Sequence, residues 1–235
     1  MNTPAYDKEI TALLVVDPYN DFISEGGKIW PRIKAVAEAN NCVAHMLEVL
    51  NAARLAKLRV FYAMHHRYRP GDYETWKYVA PIQKGAWQHR TFEFGTWGGE
   101  FRAEFVPVPG EIVAEEHWCS SGFANTDLDL QLKKHGIHQL IIIGLIAHTC
   151  IESTVRFAAE LGSGHCSKGR NGGLLRRDDA RRARHQYPEL RQRRCDRKGS
   201  RRLTFFSLTT SLKPMSASHQ SGHSRHQRGL EVEED

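Results

Sequence analysis

No stretch of this 235-residue sequence approaches the ~18–20 consecutive apolar residues needed to cross a bilayer. A spanning helix is therefore not expected. Nor is a secretory signal: Met1 to Glu9 is polar, and the first apolar run lasts only from Ile10 to Val16 before Asp17. Cysteine is sparse. Cys42, Cys119, Cys150, Cys166 and Cys195 are odd in number, scattered, and never spaced as CxxC. That argues against a disulfide framework and a thiolate zinc site, and for a reducing, cytoplasmic setting. Internal repeats are absent, and no glycine-rich pattern that could cradle a phosphate follows a strand.

The net charge of +6 averages two unlike segments. Residues 1–162 carry 16 Lys/Arg against 19 Asp/Glu, a net −3, whereas residues 163–235 carry 17 against 8, a net +9. The first has an ordinary globular composition and is long enough to bury a full core. The second is rich in Arg, Gly, Ser and His, with few apolar residues at either helical or strand period. The expected organisation is one domain over 1–162 and a basic low-complexity tail over 163–235.

Within the first segment, Ile10–Asp17 reads as a fully buried strand ending in a carboxylate. Ile33, Val36, Ala37, Val43, Ala44, Leu47 and Leu50 fall near a 3.6-residue period and predict one long amphipathic helix to about Lys57. Leu58–Met64 is a second strand, and an irregular aromatic segment from Tyr73 to Trp97 follows it. Glu111–Glu115 is a third, shorter strand. A helix from Asp127 to His135 can be capped by Asn125 or Thr126 and is closed by Gly136. Gln139–Ile143 is a fourth strand, and Cys150–Leu161 a helix. Strands alternating with helices imply a three-layer α/β domain with a parallel sheet, whose chemistry collects at the carboxyl ends of the strands. Asp17, the pair Glu115–Glu116, and the turn Gly144–Cys150 all fall there.

Cys150 stands where a buried strand delivers a thiol to the first turn of a helix. Such a position lowers a thiol pKa and offers N–H groups to an oxyanion. It is equally the position of a small buried hydrophobe.

Three motifs bear on that choice. Asp17-Pro18-Tyr19-Asn20-Asp21-Phe22 follows the first strand, Ser121-Gly122-Phe123-Ala124-Asn125-Thr126-Asp127-Leu128 precedes a helix, and Gly144 to Cys150 with Thr154 spans the last strand–helix turn. In that order and on those elements, the chain resembles the isochorismatase-like cysteine hydrolases over about Ala12 to Gly162. The resemblance implies a Rossmann-like three-layer fold, here incomplete at its C-terminal end, and hydrolysis of a small amide or related carbonyl compound. It implies Asp17 as the base and Cys150 as the nucleophile that forms a thioester. It also implies a cis peptide at Leu145–Ile146 that aims N–H groups at the oxyanion, and a pocket drawing on Phe22, Trp97, Trp118 and Phe123. No cofactor follows from it. The partner is a small molecule rather than a membrane, and a homo-oligomer is compatible with it.

The family's triad also holds a lysine at the end of the third strand, and here that position reads Glu115-Glu116-His117-Trp118. Either Glu116 or His117 takes the slot. A carboxylate beside Asp17 would weaken stabilisation of a thiolate, and a histidine would serve better. An inactive relative is thus an alternative reading. His65 and His66 follow the second strand, where metal-dependent relatives keep an Asp-x-His set. No aspartate precedes them, and adjacent residues on an extended segment point to opposite sides, so a pocket-wall or surface role is favoured over metal.

The arginine run 176–202 has no RNA-binding motif, no interleaved aromatic platform and no basic helical stripe, so a nucleic-acid-binding tail is the weaker alternative. Read in a frame shifted by one base, Gly164 to Leu175 is compatible with Val-Ile-Val-Val-Lys-Asp-Ala-Thr-Ala-Ala-Phe-Ser, a buried strand followed by the family's Asp-Ala. On this reading the tail is a frameshift product that omits the fifth strand and leaves the fourth uncovered.

Overall fold

The computed structural model describes residues 6–163 and the backbone of 165–168. Five parallel strands, β1 (Thr11–Val16), β2 (Arg59–Ala63), β3 (Ile112–Val113), β4 (Gln139–Gly144) and β5 (His165–Lys168), lie in the order β3-β2-β1-β4-β5. The helices are α1 (Asn20–Ile23), α2 (Trp30–Ala39), α3 (Cys42–Leu55), α4 (Pro81–His89), α5 (Leu128–Lys134) and α6 (Glu152–Glu160).

Every side chain of β1 is buried, because the strand is central and both its faces are covered. Leu13, Val15, Ile141 and Ile143 pack on one side with Ile33, Met46 and Leu50 of α2 and α3. Ala12, Leu14, Val16, Leu140 and Ile142 face the other side, with Leu128 and Leu132 of α5 and Ala158 of α6. The three-layer α/β expectation holds.

Several expectations are corrected. The single long helix is two, broken at Asn40–Asn41, where Asn41 takes φ 48, a left-handed conformation that asparagine tolerates and that ends a helix. The apolar period carries across the break, so it could not reveal it. The aromatic segment holds a helix, α4, opened by Pro81 at its first position. Its Gln83 side chain accepts the Ala80 N–H (3.0 Å), a contact that hydropathy does not register. The segment before α6 is a wide turn, Ala147–Ile151, of π-helical form.

β4 is not left uncovered either. The backbone of His165–Lys168 pairs with Gln139–Ile142. Strand pairing is made by main-chain N–H and C=O groups, so it requires an extended run rather than apolar side chains. The rest of the reading-frame expectation, and the basic run, lie outside the described residues.

Candidate active site

The site is assembled by strand register. Val16 stands opposite Ala63 on one side and Gly144 on the other. The next residue, Asp17, turns out of β1 at φ 55, and its N–H donates to Ala63 O (3.1 Å). Beyond β2 and β3 the chains stay paired, His117 N–H donating to Met64 O and His66 N–H to His117 O (both 2.9 Å). That ladder lays the His65 and His117 rings edge to face, 5.3 Å between centroids. All of this is at the carboxyl edge of the sheet. A surface cavity of about 410 Å³ lined by Arg54, Lys57, Arg59 and Glu111 opens at the opposite, amino edge and has no part in it.

Asp17 is completely buried. Its Oδ1 accepts the His65 backbone N–H (2.6 Å) and stands 3.1 Å from His117 Nε2. Oδ2 has no hydrogen-bond partner of ordinary geometry among the described residues. Cys150 is also buried, within the wide turn, with the Thr149 hydroxyl 3.8 Å from its Sγ. Asp17 is near enough to the thiol for its charge to bear on the Cys150 pKa. Burial first, then the Asp17 charge and its contact with the thiol, push the Cys150 pKa well above the ordinary value, against smaller opposing effects from Thr149 and Ile146. The expected lowering of this thiol's pKa is therefore overturned. Loss of solvent and a neighbouring anion outweigh the partial charge of a helix end. Cys150 rests as a thiol.

His65 is the residue the sequence underrated. It is buried, its backbone serves Asp17, its Nδ1 lies 2.9 Å from His66 O, and its own carbonyl accepts the Tyr19 hydroxyl (2.7 Å). Burial, then the neighbouring His117, lowers its pKa to about 4, so it is neutral at physiological pH. The available signal was its place one residue beyond a parallel strand's end. His66 points the other way, as adjacency on an extended segment dictates.

Glu116 does not join Asp17. It is paired with the Arg67 guanidinium and backbone N–H, and lies 3.3 Å from His66 Nδ1. His66 in turn meets Asp72 (2.8 Å) and stacks on Trp118 at 3.7 Å. Burial would raise the Glu116 pKa, but hydrogen bonds from His66 and Arg67 hold it at about 2. A folded value below the unfolded one stabilises the fold above about pH 4.5, and that contribution disappears as pH falls through 4.5 toward 2. Glu116→Gln is expected to remove part of the acid limb from the dependence of Tm on pH, measured by circular dichroism from pH ~5 to ~2.

The remaining predicted residues divide. Phe123 is 5% exposed and shares the core cluster of Cys150. Phe22 packs on the other face of the sheet, 4.8 Å from Phe92. Trp118 belongs to an aromatic group with Tyr73 and Trp76. Trp97 is 54% exposed and stands over Gly26. The Leu145–Ile146 peptide is cis, as the resemblance implied. Asp21, unremarked in the sequence beyond its motif, is a buried carboxylate whose oxygens accept the N–H groups of Lys28 (2.9 Å) and Phe92 (2.7 Å), tying the aromatic loop to α1.

Fold and site together define a three-layer α/β protein with a buried acid–thiol pair at the carboxyl edge of a parallel sheet. The isochorismatase domain matches residues 11–164, and the chain belongs to the isochorismatase family. It is similar to ureidoacrylate amidohydrolase RutB of Rhizobium rhizogenes (29% identical, over 64% of this chain and 65% of the relative) and of Caulobacter segnis (31%, over 64% and 66%). The chain thus spans less than two thirds of these relatives' length. Among solved structures it is similar in fold to an isochorismatase of Pseudomonas putida (TM-score 0.57, 21% identical, covering 80% and 86% of the two chains). N-carbamoylsarcosine amidase of Thermoplasma acidophilum is likewise similar in fold (TM-score 0.56, 24% identical, covering 76% and 92%).

Proposed function

We propose that this chain is a cytoplasmic cysteine hydrolase that cleaves a small amide without a cofactor, Asp17 acting as the base and Cys150 as the nucleophile. The observation that supports this reading is the placement of a buried carboxylate and a buried thiol at the same edge of the sheet, near enough for the Asp17 charge to raise the thiol pKa. Asp17 takes the thiol proton as Sγ bonds to the substrate carbonyl carbon. The carbonyl oxygen gains the electron pair, and N–H groups of the Leu145–Cys150 turn receive it. Collapse of that adduct breaks the C–N bond, the proton held by Asp17 passes to the departing nitrogen, and a thioester is left on Cys150. Water, deprotonated by Asp17, then adds to the thioester carbonyl. The acid departs, and the thiol recovers its proton. Phe22, Trp97, Trp118 and Phe123 are proposed to border the substrate. The curated relatives are named for an amide hydrolysis, and ureido and simple primary amides are the substrates to try first.

The test is ammonia release from a panel of small primary amides and N-carbamoyl compounds. Turnover of at least one is expected, and Asp17→Asn is expected to lower it by about 10²–10⁴-fold. A folded chain inert toward every member, with no acyl adduct on Cys150 by mass spectrometry, would favour an inactive relative, a reading that the absent lysine already supports. Residues 163–235 are proposed to be read from a shifted frame. The coding DNA across codons 158–205 tests that.

A further inference from the structure

Both ring nitrogens of His117 face atoms that accept hydrogen bonds. Nδ1 stands 3.2 Å from Cys119 O, a carbonyl that can only accept, and Nε2 stands 3.1 Å from Asp17 Oδ1. That oxygen also takes the His65 N–H at 2.6 Å. A neutral imidazole has one N–H, so with Asp17 ionised it would leave one of these pairs as two opposed acceptors; the His117 and Asp17 side chains are completely buried, and the Cys119 carbonyl is part-buried. Among the described residues no lysine or arginine forms an ion pair with Asp17, and a carboxylate buried without a cation is costly.

We infer that His117 is the resident cation of this site, an imidazolium that donates Nδ1–H to Cys119 O and Nε2–H to Asp17 Oδ1, and that it, rather than Glu116, balances the charge when Cys150 loses its proton. The Cys119 carbonyl fixes the ring orientation, and Glu116, neighbouring in sequence, spends its charge outward on Arg67 and His66. The groups facing His117 are Asp17 after β1, the His65 ring after β2 and, through Asp17, the Cys150 thiol after β4; Tyr19 reaches the cluster through His65 O. His65 is kept neutral by its burial and by this neighbour, which leaves one positive charge in the cluster. His117 acts by charge and orientation and touches no substrate atom, so it is a positioning residue. The inference about Cys150 rests on the nucleophile reading, whereas the protonation of His117 does not.

A lysine at this position keeps a cation but has no ring to orient, so His117→Lys separates the charge from the imidazole itself. Two measurements on the full chain test this. Long-range ¹H–¹⁵N spectra, with His117 assigned by the loss of its signals in His117→Lys, are expected to show both ring nitrogens protonated near neutral pH. A single protonated nitrogen there would place the proton on Asp17 and overturn the inference. Iodoacetamide modification of Cys150, followed by peptide mass spectrometry, is expected to slow on the order of tenfold in His117→Gln, and by more than in Glu116→Gln. His117→Lys, which keeps a cation, is expected to retain more of the rate than His117→Gln. A His117→Lys rate no higher than that of His117→Gln, or a larger loss in Glu116→Gln, overturns it even if His117→Gln folds poorly. Should Cys150→Ala retain turnover while the ring-nitrogen signature stands, the nucleophile reading fails and the charge assignment survives.

Discussion

Cys150→Ala is expected to abolish amide turnover, by about 10⁴-fold or more, with the fold retained. The side chain is small and buried, in the core cluster that also holds Ala63, Phe123 and Ile151, so an alanine leaves a void of little more than one sulfur. The chemical loss is large by contrast, since among the described residues neither Cys42 nor Cys119 stands in its place. Cys42 opens α3 in the core cluster on the other face of the sheet, its pKa pushed up to about 11 by burial, and Cys119 lies against Ser120 (3.7 Å) with its carbonyl, not its sulfur, turned to His117. The measurement is ammonia release together with the mass of the intact protein under substrate. The wild type is expected to accumulate an acyl adduct that hydroxylamine removes and that maps to the Cys150 peptide. An adduct on Cys119, or undiminished turnover in Cys150→Ala, would sink the assignment. On the proposed mechanism, a buried thiol reacts only when Asp17 accepts its proton. Asp17→Asn should therefore suppress adduct formation as well as turnover, rather than trap the thioester.

The second large effect is on the scaffold. Gly144 ends β4 at φ +138, directly opposite Val16, the last residue of β1. A Cβ there would overlap the Val16 carbonyl oxygen and lie 2.8 Å from Val16 Cβ. No rotamer relieves a clash between backbones, and the positive φ adds strain of its own. Gly144→Ala must push β1 and β4 apart at the edge where Asp17 and the turn to Cys150 emerge. A loss of about 3 kcal/mol or more is expected, against a total stability of ~5–15 kcal/mol for a domain of this kind. Urea unfolding should show a large fall in midpoint. What remains folded should have lost turnover, because a small displacement between the carboxylate and the thiol removes the proton transfer. A midpoint within error of the wild type would mean that the two strands can separate without cost at this point.

The apolar runs Thr11–Val16 and Gln139–Ile143 could be located in the sequence, because a central parallel strand buries both faces and so is written as a continuous hydrophobic word. Their alternation with helices determined the three layers, and the positions of Asp17 and Cys150 at strand ends followed from it. The break at Asn41 and the helix α4 were not legible. Each depends on a backbone conformation or a single side-chain contact that leaves the hydrophobic period unchanged. The choice between Glu116 and His117 was beyond the sequence for a sharper reason. Adjacent residues on an extended segment point to opposite sides, and only the pairing of that segment with β2, through His117 to Met64 and His66 to His117, decides which one faces inward. The direction of the Cys150 pKa is hidden from the sequence on the same ground. The helix end that favours a thiolate is local and visible in sequence, whereas the desolvation and the Asp17 charge that oppose it come from a residue 133 positions away, brought beside the thiol by the β1–β4 register.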